Sequence, residues 1–339
     1  MKAIVLHKTG GTEVLAVREI EDPVPGAGEV GVRIHYAGIN YAEILSRKGL
    51  YGWAPKKPYT LGMEASGVID NVGEGVDPSL VGQKVMVGAK SGAYAERINV
   101  PLAQAIPAIE NYSMEENAAF LVNYMTSWVS LFTMARAEPG EKVLVTAAAG
   151  GVGTAAIKLA SAYGCEVYGM AGSGEKVEYV KSMGAKDAFN YREGDCFKNL
   201  LSITGGVDVV LEVVGGDVFR QSLDSLKPFG RIVVAGFASL DLKKWNPYTW
   251  YRTWRDLPRT DIRKLVRKSV AVMSCHVGHL LEEEPERMHS IYGELNDFVA
   301  KHGIRPEVGR VFPFEEASRA HSFIESRKSR GKVLLSFIE

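Results

Sequence analysis

The sequence predicts an α/β protein of two domains, one β-rich and the other a doubly wound parallel sheet, and three observations predict it. Residues 1 to about 120 hold short β runs broken by Gly and Pro turns, the signature of an antiparallel β domain. From about residue 142, strand-like and helix-like segments alternate, which implies a parallel sheet covered by helices on both faces. At the start of that alternation, the apolar run from Lys142 passes through Gly150-Gly151-Val152-Gly153 into an alanine-rich helix. After about residue 280 the character turns mixed again, so the middle domain is expected to be an insertion. The expected boundaries are 1–122 with 279–339 for the β-rich domain and 123–278 for the other.

Each element has its own warrant. In the first region the β runs are Lys2 to Leu6, Glu29 to Ala37, Ala65 to Val72, Lys84 to Val87 and Ala93 to Val100, all rich in Val and Ile. In the second they are Val143 to Ala147, Glu166 to Ala171, Val207 to Val214, Arg231 to Phe237 and Val270 to His276. A helix is expected over Thr154 to Tyr163, another near Phe314 to Arg327, and a last strand over Lys332 to Phe337.

The glycine turn carries chemistry as well as shape. Gly150 and Gly151 let a backbone approach a pyrophosphate without a Cβ in the way, and Gly153 lets the new helix pack close to its strand. The helix N-terminus offers free N–H groups and a positive dipole end to the anion. Ala148 stands in the first glycine position, so the match to G-x-G-x-x-G is incomplete. A dinucleotide site that prefers NADH carries an acid at the tip of the second strand, where it bonds the ribose 2′-OH. Here that tip reads Gly172-Ser173-Gly174-Glu175-Lys176, and Tyr191-Arg192 ends the next short strand-like run. Ser173, Lys176, Tyr191 and Arg192 could converge on a 2′-phosphate, which points to NADPH. The alternative is that Ser173 caps the next helix, with Glu175 and Lys176 its solvated first turn.

Composition excludes several classes. With 46% hydrophobic and 24% charged residues in 339, the chain is neither disordered nor fibrous. Forty basic side chains balance forty acidic ones, so no global field would recruit nucleic acid or an anionic membrane. No apolar run is long enough to span a bilayer and the N-terminus is too short of apolar residues for a signal peptide, so a cytoplasmic protein is expected. Cys165, Cys196 and Cys275 lie far apart without C-x-x-C spacing, and suggest neither zinc ribbon nor disulfide framework.

The chain resembles the medium-chain dehydrogenase/reductase superfamily and, within it, the zinc-free quinone oxidoreductases related to ζ-crystallin, nearest the vesicle amine transport protein branch. The residues that carry the likeness include Ala37-Gly-Ile-Asn-Tyr41, Pro58-Tyr-Thr-Leu-Gly-Met-Glu-Ala-Ser-Gly67, Ala118-Ala-Phe-Leu-Val-Asn-Tyr-Met-Thr-Ser127, Gly150-Gly-Val-Gly153 and Gly331-Lys-Val-Leu-Leu335. The resemblance implies a GroES-like β domain and a Rossmann domain with the site in the cleft between them, and a homodimer. It also implies an absent metal. The zinc-bearing branch has a Cys where this chain has Asn40 and a His where it has Met63, and amide and thioether are poor zinc ligands. Without a Lewis acid, simple alcohols are poor substrates, whereas a quinone or an enone accepts hydride unaided. NADPH-dependent reduction of such an acceptor is therefore expected, EC 1.6.5 in type. The alternatives are a non-catalytic NADPH-binding structural or membrane-associated protein and a 2-enoyl thioester reductase.

By the same comparison Asn40 and Tyr41 lie near the nicotinamide and Tyr51 beside the acceptor, while Thr126 touches the cofactor. Tyr41 or Tyr51 could donate to a developing oxyanion, against the plainer reading of Tyr41 as a packing aromatic. Gly236, Phe237 and Lys332 fall where related enzymes contact the cofactor; strand-end packing and a solvated lysine are the alternatives. One stretch exceeds a minimal enzyme: between Ala238 and Lys268, Trp245, Tyr248, Trp250, Tyr251 and Trp254 interleave with Arg252, Arg255, Arg259, Arg263, Lys264, Arg267 and Lys268. A lid, a patch for an anionic membrane over residues 245–268, and a subunit contact are the three readings.

Overall fold

The computed structural model describes residues 1–240 and 247–338. The chain divides into two compact units, Met1–Val122 with Arg305–Glu339, and Asn123–Ile304.

In the second unit the described strands form a six-stranded sheet, every pair parallel, in the order Asp187–Asn190, Glu166–Ala171, Lys142–Val145, Val207–Glu212, Leu226–Val234, Ala271–Ser274. Val207, Val209, Val210 and Leu211 are all fully buried, because a parallel strand is covered on both faces and so reads as a nearly continuous apolar run, broken here only by Asp208. The strand order reverses between Lys142–Val145 and Val207–Glu212, the switch point at which open sheets of this kind take their ligands. This is the Rossmann arrangement.

The first unit is a β-rich GroES-like fold. Its larger sheet runs Val308–Pro313, Lys332–Ser336, Glu29–Ile39, Glu64–Val72, Lys84–Gly88, Ala105–Pro107, with Arg97–Pro101 also paired to Glu29–Ile39. All of these pairs are antiparallel except the first. A smaller sheet joins Val17–Glu19, Lys2–Leu6 and Tyr59–Thr60. Ile4, Leu6, Val32, Ile34, Ile69 and Val85 belong to the core they enclose.

Several elements differ from expectation. The glycine-turn helix is Gly151–Ala162, three residues earlier than expected, because the first-turn N–H groups have no intrahelical partner to lose when glycine occupies them. The run from Ala93 becomes a strand only at Arg97: the N–H groups of Ala93 and Tyr94 go to Gly62 and Leu61 instead. The short strands Val17–Glu19, Ala105–Pro107 and Val308–Pro313 carry charge, Gly or Pro and had given no β signal. The second unit extends to Ile304 rather than 278. The helix Pro285–His302 buries Met288, Ile291, Leu295 and Val299, and its Phe298 ring lies 5.0 Å from Trp128 of the same unit. Among the described residues no helix is long and apolar enough to cross a membrane.

Candidate functional site

Two groups of the expected residues form, one in each unit. In the second unit the strand Lys142–Val145 ends in a tight turn, and Gly150 caps the helix Gly151–Ala162 with extended backbone. A Cβ on Gly153 would lie 2.6 Å from the carbonyl oxygens of both Ala147 and Ala148, so only glycine lets the helix start this close to its strand. A Cβ on Gly151 would lie 2.7 Å from Asn123 Nδ2. The helix Leu121–Trp128, which carries the buried Thr126, is pinned to the same turn, since Ser127 Oγ is 3.0 Å from the carbonyl oxygen of Val152. The bare backbone at a helix N-terminus fits a pyrophosphate, with Gly150, Gly151, Val152 and Gly153 as its cradle.

At the tip of the second strand, Ser173 Oγ accepts the Lys176 N–H at 3.3 Å and so caps the helix Gly174–Ser182. The capping alternative is thus part of the structure. Tyr191 donates its N–H to Ala171 at 3.0 Å, and its hydroxyl lies so close over Gly172 that a Cβ there would push the phenol aside. The Arg192 guanidinium is 6.0 Å from the Tyr191 ring centre. The Tyr191 phenol thus lies against Gly172, Arg192 lies beside the Tyr191 ring, and Ser173 and Lys176 stand at the cap and in the first turn of the helix that follows. A cavity of about 340 Å³ opens nearby, lined by Gly174, Phe189, Asn190 and Cys196 among others. Its lining also carries Glu178 and Glu193, whose sign is wrong for a phosphate. Past the strand Leu226–Val234, Gly236 lies against Val213, and Phe237 is 37% exposed.

In the first unit, Asn40 precedes the helix Tyr41–Lys48, and the Glu43 carboxylate folds back to accept the Asn40 N–H at 2.8 Å. That carboxylate also takes the Met63 N–H at 3.0 Å and faces Asn40 Nδ2 at 3.4 Å. Lys332, 2% exposed, donates from Nζ to Asn40 Oδ1 at 2.6 Å and to Glu64. Glu64 holds the Val122 N–H with its other oxygen. An ammonium can only donate, so the Asn40 amide is fixed with Oδ1 toward Lys332 and Nδ2 turned away. Burial pushes the Glu43 carboxyl up to about 7, against the pull of the Lys332 charge. Tyr51 stands edge-on to Trp53, and its phenol is raised above its ordinary range by burial and by the Glu43 charge, so it stays a donor. The reading of Lys332 as a solvated side chain fails on its burial. The cation that fills this spot is an ammonium, and among the described residues no group of three or more His, Cys, Asp or Glu is placed to hold a metal.

Sequence reasoning missed Glu43, Glu64 and Glu212. Glu64 lay inside a quoted motif and Glu43 two residues beyond another, but nothing local marks an acid as buried. Glu212 offered one signal, a carboxylate directly after the apolar run Val209-Val210-Leu211.

Two family models match the chain, one described as an alcohol dehydrogenase GroES-like domain over residues 26–110 and one as a zinc-binding dehydrogenase over residues 151–292. The synaptic vesicle membrane protein VAT-1 homolog of Mus musculus is 35% identical over 99% of this chain and 83% of its own length. The quinone oxidoreductase of Rattus norvegicus is 31% identical over 99% of this chain and 97% of its own. Among solved structures, Escherichia coli quinone oxidoreductase complexed with NADPH superimposes with a TM-score of 0.88 at 31% identity, covering 99% of this chain and 100% of that one.

Proposed function

Because the chain belongs to the medium-chain dehydrogenase/reductase superfamily, close to quinone oxidoreductases and VAT-1 homologues, we propose that it is an NADPH-dependent, zinc-independent reductase of quinones or enones. The observation that carries the cofactor is the cradle at Gly150–Gly153, where a Cβ at Gly153 would collide with two carbonyl oxygens, together with a second strand that ends at Ala171-Gly172 without an acid. Ser173, Lys176, Tyr191 and Arg192 are assigned to the 2′-phosphate, and Thr126, Gly236 and Phe237 to the cofactor's other parts. The solved relative with NADPH supports the same choice.

When bound, the reduced nicotinamide supplies a hydride, and an activated acceptor delocalises the charge it receives. The protein's own residues then have two tasks. Asn40, held by Lys332 and Glu43, keeps one Nδ2–H to offer to the acceptor oxygen, and Tyr41 and Tyr51 are the phenolic donors assigned beside it. The Lys332 ammonium already holds the amide oxygen, and a positive charge there disfavours a zinc ion in the same place. The test is NADPH oxidation with phenanthrenequinone, a benzoquinone and an alkenal, repeated with NADH and with a chelator. Quinone-dependent turnover that prefers NADPH and ignores the chelator is expected; tight NADPH binding without turnover would leave a non-catalytic binder.

A second reading adds a membrane partner to the same protein. In the segment after 238, Trp245 lies outside the described residues, as do the side chains of Tyr248, Trp250 and Arg252. Of the rest, Tyr251, Trp254, Leu257, Ile262 and Val266 are exposed, the last two by 69% and 71%. Arg259 stacks on Trp254 at 3.9 Å, and Arg263, Lys264 and Arg267 are exposed beside them. Exposed aromatics and aliphatics among basic side chains suit an anionic bilayer surface.

A further inference from the structure

Two loops border the residue group of the first unit and give it a charged rim. Residues 49–63 run from the end of the helix Tyr41–Lys48 to Met63, and residues 88–95 continue from the strand Lys84–Gly88. Together they carry Lys56, Lys57 and Lys90 and no acid. All three lysines are exposed. The acids of this group do not reach the surface to cancel them. Glu43 and Glu64 are 0% and 1% exposed, and they are engaged by backbone N–H groups and, for Glu64, by Lys332. In a chain whose forty cations match forty anions, these loops therefore hold a local excess of positive charge.

The backbone ties the loops to each other and to Asn40. Ala89 donates its N–H to the carbonyl oxygen of Met63 at 2.8 Å, and Gly92 donates to that of Thr60 at 2.9 Å. The N–H of Met63 goes to Glu43, the acid that also holds Asn40. Lys90, directly after Ala89, lays its Nζ 4.7 Å from the centre of the Trp53 ring. The same indole stands edge-on to Tyr51, with ring centres 6.4 Å apart. An indole face attracts an ammonium, and a long side chain held in one place loses less rotamer freedom when it meets a ligand. Trp53 thus presets Lys90, and one indole links that ammonium to Tyr51.

We propose that Lys90, placed by Trp53, is the subsite for an anionic substituent on the acceptor, so that the preferred substrates are quinones or enones bearing a carboxylate or a similar acid group. The inference rests on the reductase reading given above, which puts the acceptor beside Tyr51. Lys90 is not among the groups assigned to the acceptor oxygen. It selects among acceptors and leaves the reduction of an uncharged one as it is, while Lys56 and Lys57 add attraction at longer range.

The experiment follows NADPH oxidation with 1,4-benzoquinone-2-acetate and with its methyl ester, which share the reacting ring and differ by one charge. The ratio of kcat/KM for acid over ester is compared between proteins, so the intrinsic reactivities of the two quinones cancel. Lys90→Gln is expected to lower the ratio about fivefold, the upper range for an exposed charge pair, with kcat/KM for the ester unchanged. Lys90→Glu should lower it further, and added salt should shrink the ratio more in the unaltered protein than in Lys90→Gln. A ratio that is the same in all three proteins overturns the proposal. An equal loss for acid and ester overturns it too, because Lys90 would then only support Trp53. If the unaltered protein oxidises NADPH with neither quinone, the reductase reading falls and this inference with it. Turnover of the ester with a ratio that does not move leaves that reading standing and removes this inference alone.

Discussion

At the scale of single residues, buried polar groups set the behaviour of the first unit. Lys332 and Glu64 are 2% and 1% exposed, and a charge stranded at such depth is costly. Lys332→Met is expected to destabilise the protein by about 3–5 kcal/mol, read from urea unfolding, and Lys332→Met combined with Glu64→Gln to recover much of that. His321 is the second case. It is fully buried, its Nε2 lies 3.3 Å from the Tyr94 hydroxyl, and burial followed by the Arg47 charge lowers it from 6.5 to about 3. Between those values the unfolded chain binds the proton that the folded chain refuses, so this residue's contribution to stability is full above pH 6.5 and is lost as pH falls toward 3. Glu43 and Glu212, raised to about 7, act in the opposite sense between 4.5 and 7, so the difference from a variant is the clean readout. Melting temperatures from pH 4 to 7 should fall less steeply toward acid in His321→Phe than in the unaltered protein; parallel curves would refute the assignment. Asn40 was legible as a polar residue in a motif. Its orientation was not, because the ammonium that fixes it comes from 292 positions away.

At the scale of elements, the glycine turn and the strand tip after it can be separated by substitution. Gly153→Ala puts a Cβ against two carbonyl oxygens that belong to the backbone and cannot swing aside. A loss of about 1–3 kcal/mol is expected by thermal unfolding, with weaker NADPH binding by titration. Ser173→Ala removes a helix cap and should cost about 1 kcal/mol besides any loss of cofactor affinity. Lys176→Ala leaves the Ser173 cap intact, so it should lower the preference for NADPH over NADH by titration. A preference that survives Lys176→Ala would remove that residue from the 2′-phosphate. The element pattern was read well where it rests on local chemistry: apolar runs buried on both faces, glycines at a turn, Ser173 before a helix. It was read poorly at Val308–Pro313, where Gly309 and Arg310 hide a strand that its parallel neighbour Lys332–Ser336 recruits.

At the scale of the whole molecule, a balance of forty basic and forty acidic residues makes any charged patch a local matter. Arg263→Glu with Lys264→Glu reverses such a patch on the helix Ile262–Lys268. If the membrane reading holds, the unaltered protein co-sediments with phosphatidylserine vesicles at low salt and is released at high salt, and the double variant stays in the supernatant. Absence of the unaltered protein from the vesicle pellet removes the reading. The sequence by itself determined the two kinds of sheet and the glycine cradle, because apolar periodicity and a backbone that must be bare are properties of neighbouring residues. Only the tertiary structure decided that Lys332 faces Asn40, that Lys90 lies over Trp53, and that the second unit runs on to Ile304. Each of those depends on burial and on partners distant in the chain, and a side chain's own identity carries no record of how deep the fold will place it.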